Sequence, residues 1–139
     1  MALNEVTIDS VRRNLLSDEW ALILKENGAE RYLPIYVGPY QADIIKRELI
    51  SPKPEYFDLR LETLGAAADI DIRFTRLESV VINRFEDNVF HAKLIVAFQN
   101  NRQEVECPLP HAVAIGIRTH APIFVDDQVL EQAAFIAGA

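Results

Sequence analysis

Two carboxylates and a lysine lie close together in the middle of the chain, at Lys53, Glu55 and Asp58. Glu55 and Asp58 are three residues apart, so on a helix they would share one face and could bind one Mg²⁺ or Mn²⁺ ion. The alternative is structural, because the helix dipole alone stabilises carboxylates in the first turn of a helix. The spacing makes these two residues candidate ligands for a divalent cation, and the structural alternative stays open.

The three histidines are too scattered for a zinc motif. His111 begins a very apolar stretch and is the candidate general base. His91 lies on the polar side of a strand, which is typical of a surface or interface residue. His120 ends the apolar helix, where a cationic side chain stabilises the exposed carbonyls. The one cysteine, Cys107, has no histidine fixed beside it by sequence, so we expect a buried thiol.

The charge balance disfavours one class of partner. The chain carries 21 acidic and 14 basic residues, for a net charge of −7. A protein held to nucleic acid mainly through phosphates should carry a basic field instead. There is also no glycine-rich phosphate loop and no serine nucleophile elbow.

Length and hydropathy indicate one soluble domain spanning residues 1–139. No apolar run approaches the ~20 residues needed to cross a bilayer. The first residues lack the basic and apolar regions of a signal peptide. With a single cysteine, these features lead us to expect a cytoplasmic protein that does not contact membranes.

The elements that must position the candidate residues are strands in blocks, with helices between them. Alternating apolar residues predict strands around Val6 and Ile8 and over residues 18–25 and 31–37, and Asn27-Gly28 predicts a hairpin between the last two. Pro39 suits the first turn of a helix.

A second predicted helix covers residues 56–68. Strands follow from Ile70, over 80–85 after a bend near 78–79, over 89–99 and over 103–107. Residues 111–125 predict a short buried helix, a turn and an apolar strand. The last predicted helix covers 127–137, with Asp126 as its N-cap and Ile136 facing inward. The fold class is therefore α+β, with a mostly antiparallel or mixed sheet and three to four helices packed on it.

Two segments carry a specific resemblance. LPIYVGPYQADII at residues 33–45 and AVAIGIRTHAPIFV at 112–125, with the order of elements between them, resemble the bifunctional nuclease domain family. The resemblance covers about residues 6–131. It implies an α+β fold, a homodimer or larger homo-oligomer, and metal-dependent hydrolysis of RNA and DNA.

The polar positions depart from the family pattern. The family usually has arginine-proline, two residues, then histidine-aspartate, whereas residues 53–58 read KPEYFD, so Phe57 replaces the histidine. Residues 108–112 read PLPHA where the family has arginine-proline-serine-aspartate-alanine. Gln41 replaces a glutamate, and His120 replaces the glycine before alanine-proline. Three helix starts each lose a titratable or hydrogen-bonding group.

Two hypotheses of different class follow. The first is a metal-dependent nuclease, with Lys53 and Asp58 near the phosphate, His111 as the base, and Asp58 and Glu55 as metal ligands. The second is a non-catalytic homo-oligomeric interaction or ligand-binding domain that has lost the family's polar set. The resemblance favours the first, and the replaced positions and acidic charge favour the second.

Overall fold

The computed structural model describes residues 2–50, 75–98 and 101–136. The first block of strands forms an antiparallel meander of β1 (Leu3–Arg13), β2 (Trp20–Glu26) and β3 (Arg31–Val37). Gly28 adopts a φ of +77° in the turn between β2 and β3, which a residue without a Cβ does at no steric cost. The predicted hairpin at Asn27-Gly28 is therefore confirmed.

The first helix, α1 (Pro39–Ile50), begins at the predicted proline. Gly38 precedes it, and the Gly38 N–H donates to Gln41 Oε1 at 3.0 Å, as in one half of a capping box. Ala42 and Ile45 bury the inner side of the helix.

A second meander joins β4 (Thr75–Glu86), β5 (Val89–Phe98) and β6 (Asn101–Pro108), all antiparallel. The register of β4 against β5 shifts between Leu77 and Ser79, which confirms the predicted bend. Ala92, Leu94 and Val96 alternate along β5 and are all buried, so one face of the second meander belongs to the core.

The segment HAVAIGIRTHAPIFV folds as predicted, into α2 (Leu109–Thr119), a turn and β7 (Ile123–Asp126). β7 pairs parallel with β4 and antiparallel with β1, and so joins the two meanders into one mixed sheet. The order is β6-β5-β4-β7-β1-β2-β3-β8, where β8 is Phe135–Ile136. The predicted α+β class is confirmed.

The sheet curves strongly around the core. Ile35 and Val37 of β3 line the same cavity as Phe90 and His91 of β5, although four strands separate β3 from β5 in the sheet. Helix α3 (Asp127–Ala133) likewise contacts both β3 and β4. The curvature therefore brings the ends of distant strands together.

The end of the chain differs from the prediction. Asp126 caps α3 as expected, because its side chain accepts from the Gln128 N–H. The helix then ends at Ala133, and Ile136 lies exposed in β8, which pairs with β3. The predicted helix to residue 137 with Ile136 inward is wrong, because pairing with β3 replaced a further helical turn.

The predicted helix at 56–68 and the strand from Ile70 to residue 74 lie outside the described residues. None of the helices in the part of the chain that the structure describes is long and apolar enough to cross a bilayer.

Candidate functional site

A cavity of about 520 Å³ lies where the first turns of α1 and α2 meet the ends of three strands. Its walls come from the end of β3, the start of β5, the end of β6 and the two helix starts. The described residues that line it are Ile35, Tyr36, Val37, Gln41, Asn88, Val89, Phe90, His91, Ala92, Glu106, Cys107, Pro108, Leu109 and Pro110. This volume is within the range that small-molecule sites occupy.

His91 is the histidine that lines this cavity. It is half-buried on β5, with Arg84 of β4 directly opposite on one side and Pro108 of β6 on the other. The His91 side chain makes no hydrogen bond or ion pair with any described residue. A half-buried imidazole with both nitrogens available can accept or donate a proton, so His91 is suited to general acid–base chemistry.

Glu106 supplies the carboxylate of the cavity. It pairs with Lys93 in the β5–β6 register, so it lies diagonally across from His91 on the same face of the sheet. The Lys93 ammonium instead forms its ion pair with Glu104, at 2.8 Å. Glu106 is exposed. Within the described residues it therefore has no ion-pair partner.

Two amide side chains add hydrogen-bonding groups. Gln41 Oε1 accepts from the Gly38 N–H, which leaves the Gln41 amide NH₂ as a donor. Asn88 lies in the β4–β5 turn with a φ of +62°, next to Asp87 at +52°. These left-handed conformations are uncommon for residues other than glycine and place an amide at the cavity wall.

Cys107 lines the cavity, and its thiol is buried. Burial raises the pKa of its thiol to about 11, so the thiol stays protonated near neutral pH. The predicted buried thiol is confirmed.

The start of α2 carries no side-chain cap. Pro108 occupies the N-cap position and makes no side-chain hydrogen bond, and Pro110 in the first turn has no N–H to donate. The positive end of the α2 dipole therefore meets the cavity without a neutralising carboxylate in its first turn.

The predicted site residues are distributed as follows. His111 is half-buried in the first turn of α2, directly after the cavity-lining Pro110, but is not itself among the lining residues. Lys53, Glu55 and Asp58 lie outside the described residues, so their roles stay predictions. His91, predicted from its strand position to be a surface or interface residue, lines the cavity instead of standing on an open surface.

The described residues do not by themselves provide a metal site. In residues 2–50, 75–98 and 101–136, no three His, Cys, Asp or Glu side chains come close enough to hold a metal ion. Glu106 is the carboxylate in the cavity wall. Glu55 and Asp58 lie outside the described residues, so their role as ligands for Mg²⁺ or Mn²⁺ stays a prediction.

The opposite ends of α1 and α2 are built differently. Arg118 in the last turn of α2 forms an ion pair with the buried Glu48 of α1, and the Arg118 Nε donates to Glu48 Oε1 at 3.1 Å. After α2, His120 adopts a left-handed φ of 60°. Its N–H donates to the Ile117 carbonyl, and the Ala121 N–H donates to the Gly116 carbonyl, which together make a Schellman motif.

Comparison with known proteins agrees with the motifs in α1, α2 and β7. A family model described as a bifunctional nuclease domain matches residues 22–137. The chain belongs to the bifunctional nuclease domain family. Two relatives are uncharacterized proteins of Mycobacterium tuberculosis, MT1877 of strain CDC 1551 and Rv1829 of strain H37Rv. Each is 30% identical over 137 residues, which cover 96% of this chain and 78% of the relative.

The structure of this bifunctional nuclease domain shows where the positions that depart from the family pattern lie. Gln41 and residues 108–110 both lie in the cavity wall. His120, which stands where the family has glycine, lies at the other end of α2 and has the backbone conformation that glycine favours. The positions predicted to depart from the family pattern therefore lie at the cavity and at the termination of α2.

Proposed function

We propose that this bifunctional nuclease domain hydrolyses phosphodiester bonds of single-stranded RNA or DNA in the cavity at the starts of α1 and α2. The observation that carries the proposal is the position of His91, half-buried in the cavity wall beside the uncapped start of α2. The family to which the chain belongs supplies the reaction class.

The groups in and near the cavity suit the parts of this reaction. His91 accepts the proton of the attacking water and returns it to the leaving oxygen. The positive ends of the α1 and α2 dipoles favour the phosphate. Lys53 and Asp58 are proposed near the same phosphate, and His111 remains the alternative base. Mg²⁺ or Mn²⁺, held by Asp58 and Glu55, would stabilise the charge that develops on the phosphoryl oxygens.

The test compares matched histidine variants. The purified protein is incubated with labelled single-stranded RNA or DNA and Mg²⁺ or Mn²⁺, and cleavage is followed on denaturing gels. His91→Gln should lower the rate about 100-fold, since general acid–base groups contribute at least that much. His120 is exposed at the far end of α2, so His120→Gln should leave the rate unchanged.

Three outcomes of this test would count against the proposal. An inactive parent protein removes the nuclease function. Equal rates for His91→Gln and the parent remove His91 from the reaction, and a matching loss in His111→Gln would then assign the base to that residue. An Asp58→Ala variant that cuts as fast as the parent removes the proposed metal ligand.

A second candidate is a homo-oligomeric domain that binds ligands without hydrolysing them. Leu15 and Leu16, in the turn between β1 and β2, are 90% and 96% exposed, which is unfavourable for leucine in an isolated chain. The net charge of −7 also disfavours phosphate-based binding. Light scattering tests this candidate: a mass equal to one chain, unchanged in Leu16→Ser, would remove the oligomer.

A further inference from the structure

The cavity is lined by polar residues that the proposed hydrolysis does not use. Among its described lining residues, Glu106 is the one with a fixed formal charge, and the other polar residues that line it are Tyr36, Gln41, Asn88 and His91. A wall with so few cations is poorly suited to grip several phosphates. We infer that the cavity binds an unstacked nucleobase and prefers guanine, an inference that rests on the proposed function and names its substrate.

Tyr36 is the aromatic platform. Its side chain is 67% exposed although Ile35 and Val37 on either side are buried, because successive side chains of β3 point to opposite faces of the sheet. Among the described residues, no other ring stacks on Tyr36 and no side chain forms a hydrogen bond with its hydroxyl. An exposed ring at a cavity wall can stack on a base without first losing a partner, and stacking of this kind accepts every base.

Glu106 supplies the selectivity. A carboxylate only accepts hydrogen bonds, and its two oxygens suit two parallel N–H donors. The Watson–Crick edge of guanine presents two adjacent donors, N1–H and N2–H₂. Adenine and cytosine present one amino group next to an acceptor nitrogen that repels a carboxylate, and thymine and uracil present one N–H between two carbonyls. Guanine is therefore the base that Glu106 can bind through both oxygens.

The surrounding groups fit the same base. The Gln41 amide NH₂ is left to donate, because Gln41 Oε1 is already bonded to the Gly38 N–H. Guanine offers O6 as the acceptor beside its two donors, so Gln41 and Glu106 together match the donor–acceptor order of its edge. The cavity volume of about 520 Å³ suits one nucleotide, which must leave the base stack to enter.

The test measures binding apart from cleavage. Short single-stranded thymidine oligonucleotides carrying one central guanine, adenine or cytosine are titrated into the full chain, and fluorescence anisotropy is read with chelator present so that no metal-dependent cleavage occurs. The guanine oligonucleotide should bind about tenfold more tightly than the all-thymidine one, as expected for a bidentate pair. A parallel titration with guanosine monophosphate separates a free nucleotide from a nucleic acid as the source of the base.

Two pairs of variants assign the roles. Glu106→Gln should bring the guanine and thymidine affinities to within about twofold, because the bidentate acceptor is lost. Glu104 lies on the same strand but does not line the cavity, so Glu104→Gln should keep the preference for guanine. Tyr36→Ala should weaken binding of every base about tenfold, whereas Tyr36→Phe keeps the ring and the affinity. Urea unfolding of each variant confirms that it is folded.

Each outcome bears on a separate statement. Equal affinity for all oligonucleotides, or a guanine preference that survives Glu106→Gln, overturns the inference, as does the absence of any binding. Guanine preference in a protein that never cuts nucleic acid supports the base site and removes the hydrolytic function. Cutting without base preference supports the nuclease and overturns the guanine site.

Discussion

The helices α1 and α2 begin and end in contrasting surroundings. At their last turns, Glu48 and Arg118 bind each other, and the backbone of α2 is closed by a Schellman motif. At their first turns, His91 and Glu106 line a cavity, and their side chains make no hydrogen bond with the described residues. One end of the helix pair uses its polar groups to hold the fold, and at the other end the polar side chains of the cavity have no ion-pair partner among the described residues.

This difference separates stability from function along the same two helices. A buried polar group that has found a partner strengthens the fold, and its removal should lower the free energy of unfolding. A polar group at a solvent-accessible cavity contributes little to the fold, so its removal should change binding more than stability. This division predicts four effects, which decrease from the buried ion pair to the Cys107 thiol.

The largest effect is expected at the buried ion pair. Arg118→Met removes the cation beside Glu48, whose side chain is 9% exposed and whose Oε2 has no hydrogen-bond partner in the described residues. Removing one partner of a buried pair leaves an uncompensated charge, so the free energy of unfolding should fall by about 3 kcal/mol. Urea titration followed by circular dichroism measures the change.

The matched control is an exposed pair on α1. Arg47 and Asp43 lie 2.6 Å apart with side chains 76% and 49% exposed. Arg47→Met should therefore change the free energy of unfolding by less than about 1 kcal/mol. A similar loss in both variants would show that the Glu48–Arg118 pair does not hold the helix ends together.

A smaller loss is expected at Gly116, in the last turns of α2. A Cβ there would lie 3.0 Å from Val80 Cγ2 of β4, tighter than side chains normally pack. Gly116→Val should lower the free energy of unfolding by about 2 kcal/mol, since overpacking a closed core costs that much. Gly38→Val offers the control, because the nearest atom to its Cβ is Gln41 Oε1 at 3.8 Å. Equal losses in thermal unfolding would contradict the close packing.

The third prediction uses left-handed residues at opposite ends of the helix pair. His120 has a φ of 60° after α2, and Asn88 has a φ of 62° at the cavity. Glycine removes the Cβ penalty at each, so His120→Gly should raise the free energy of unfolding by about 1 kcal/mol and Asn88→Gly by about half that, because asparagine tolerates this conformation.

The two glycine variants should differ in binding. His120→Gly should leave the affinity for the guanine oligonucleotide unchanged, whereas Asn88→Gly should weaken it, because Asn88 contributes an amide to the cavity wall. Anisotropy titrations compare the two. Unchanged affinity in both would mean that the strained turn at Asn88 serves only the β4–β5 hairpin.

The parts of the fold that sequence reasoning predicted depend on local signals. Asn27-Gly28, Pro39 and Asp126 each favour one backbone arrangement through their own geometry, and the structure has a turn, a helix start and a cap at these positions. The predicted end of α3 was wrong because Ile136 pairs with Arg31 of β3 instead of extending the helix. These two residues are distant in sequence. Periodicity within a short segment carries no information about such partners.

The cavity escaped prediction for the same reason. His91 was interpreted as a surface or interface residue because its neighbours along β5 alternate between apolar and polar. Its place in the cavity depends on the curvature of the sheet, which brings β3 beside the starts of β5 and α2. The resemblance to the family did indicate that the polar residues at the start of α2, next to His111, depart from the family pattern.

Near neutral pH the smallest effect on stability is expected at Cys107, which lines the cavity yet belongs to the core. Burial raises the pKa of the Cys107 thiol from an ordinary 9.0 to about 11. Between these two pH values, the folded thiol keeps its proton while the unfolded thiol loses it. The stability linked to this thiol is therefore complete below pH 9 and is lost progressively as the pH rises towards about 11. At pH 8, Ellman's reagent should react slowly with the folded protein and rapidly in urea.

A bound guanine oligonucleotide extends this thiol experiment to the cavity. If Cys107 becomes reactive only through global unfolding, ligand should slow its reaction by the same factor as it slows unfolding. A reaction that is fast in the folded protein and blocked by ligand would show that the thiol opens into the cavity. Cys107 would then belong with His91 and Glu106 among the groups available to ligand.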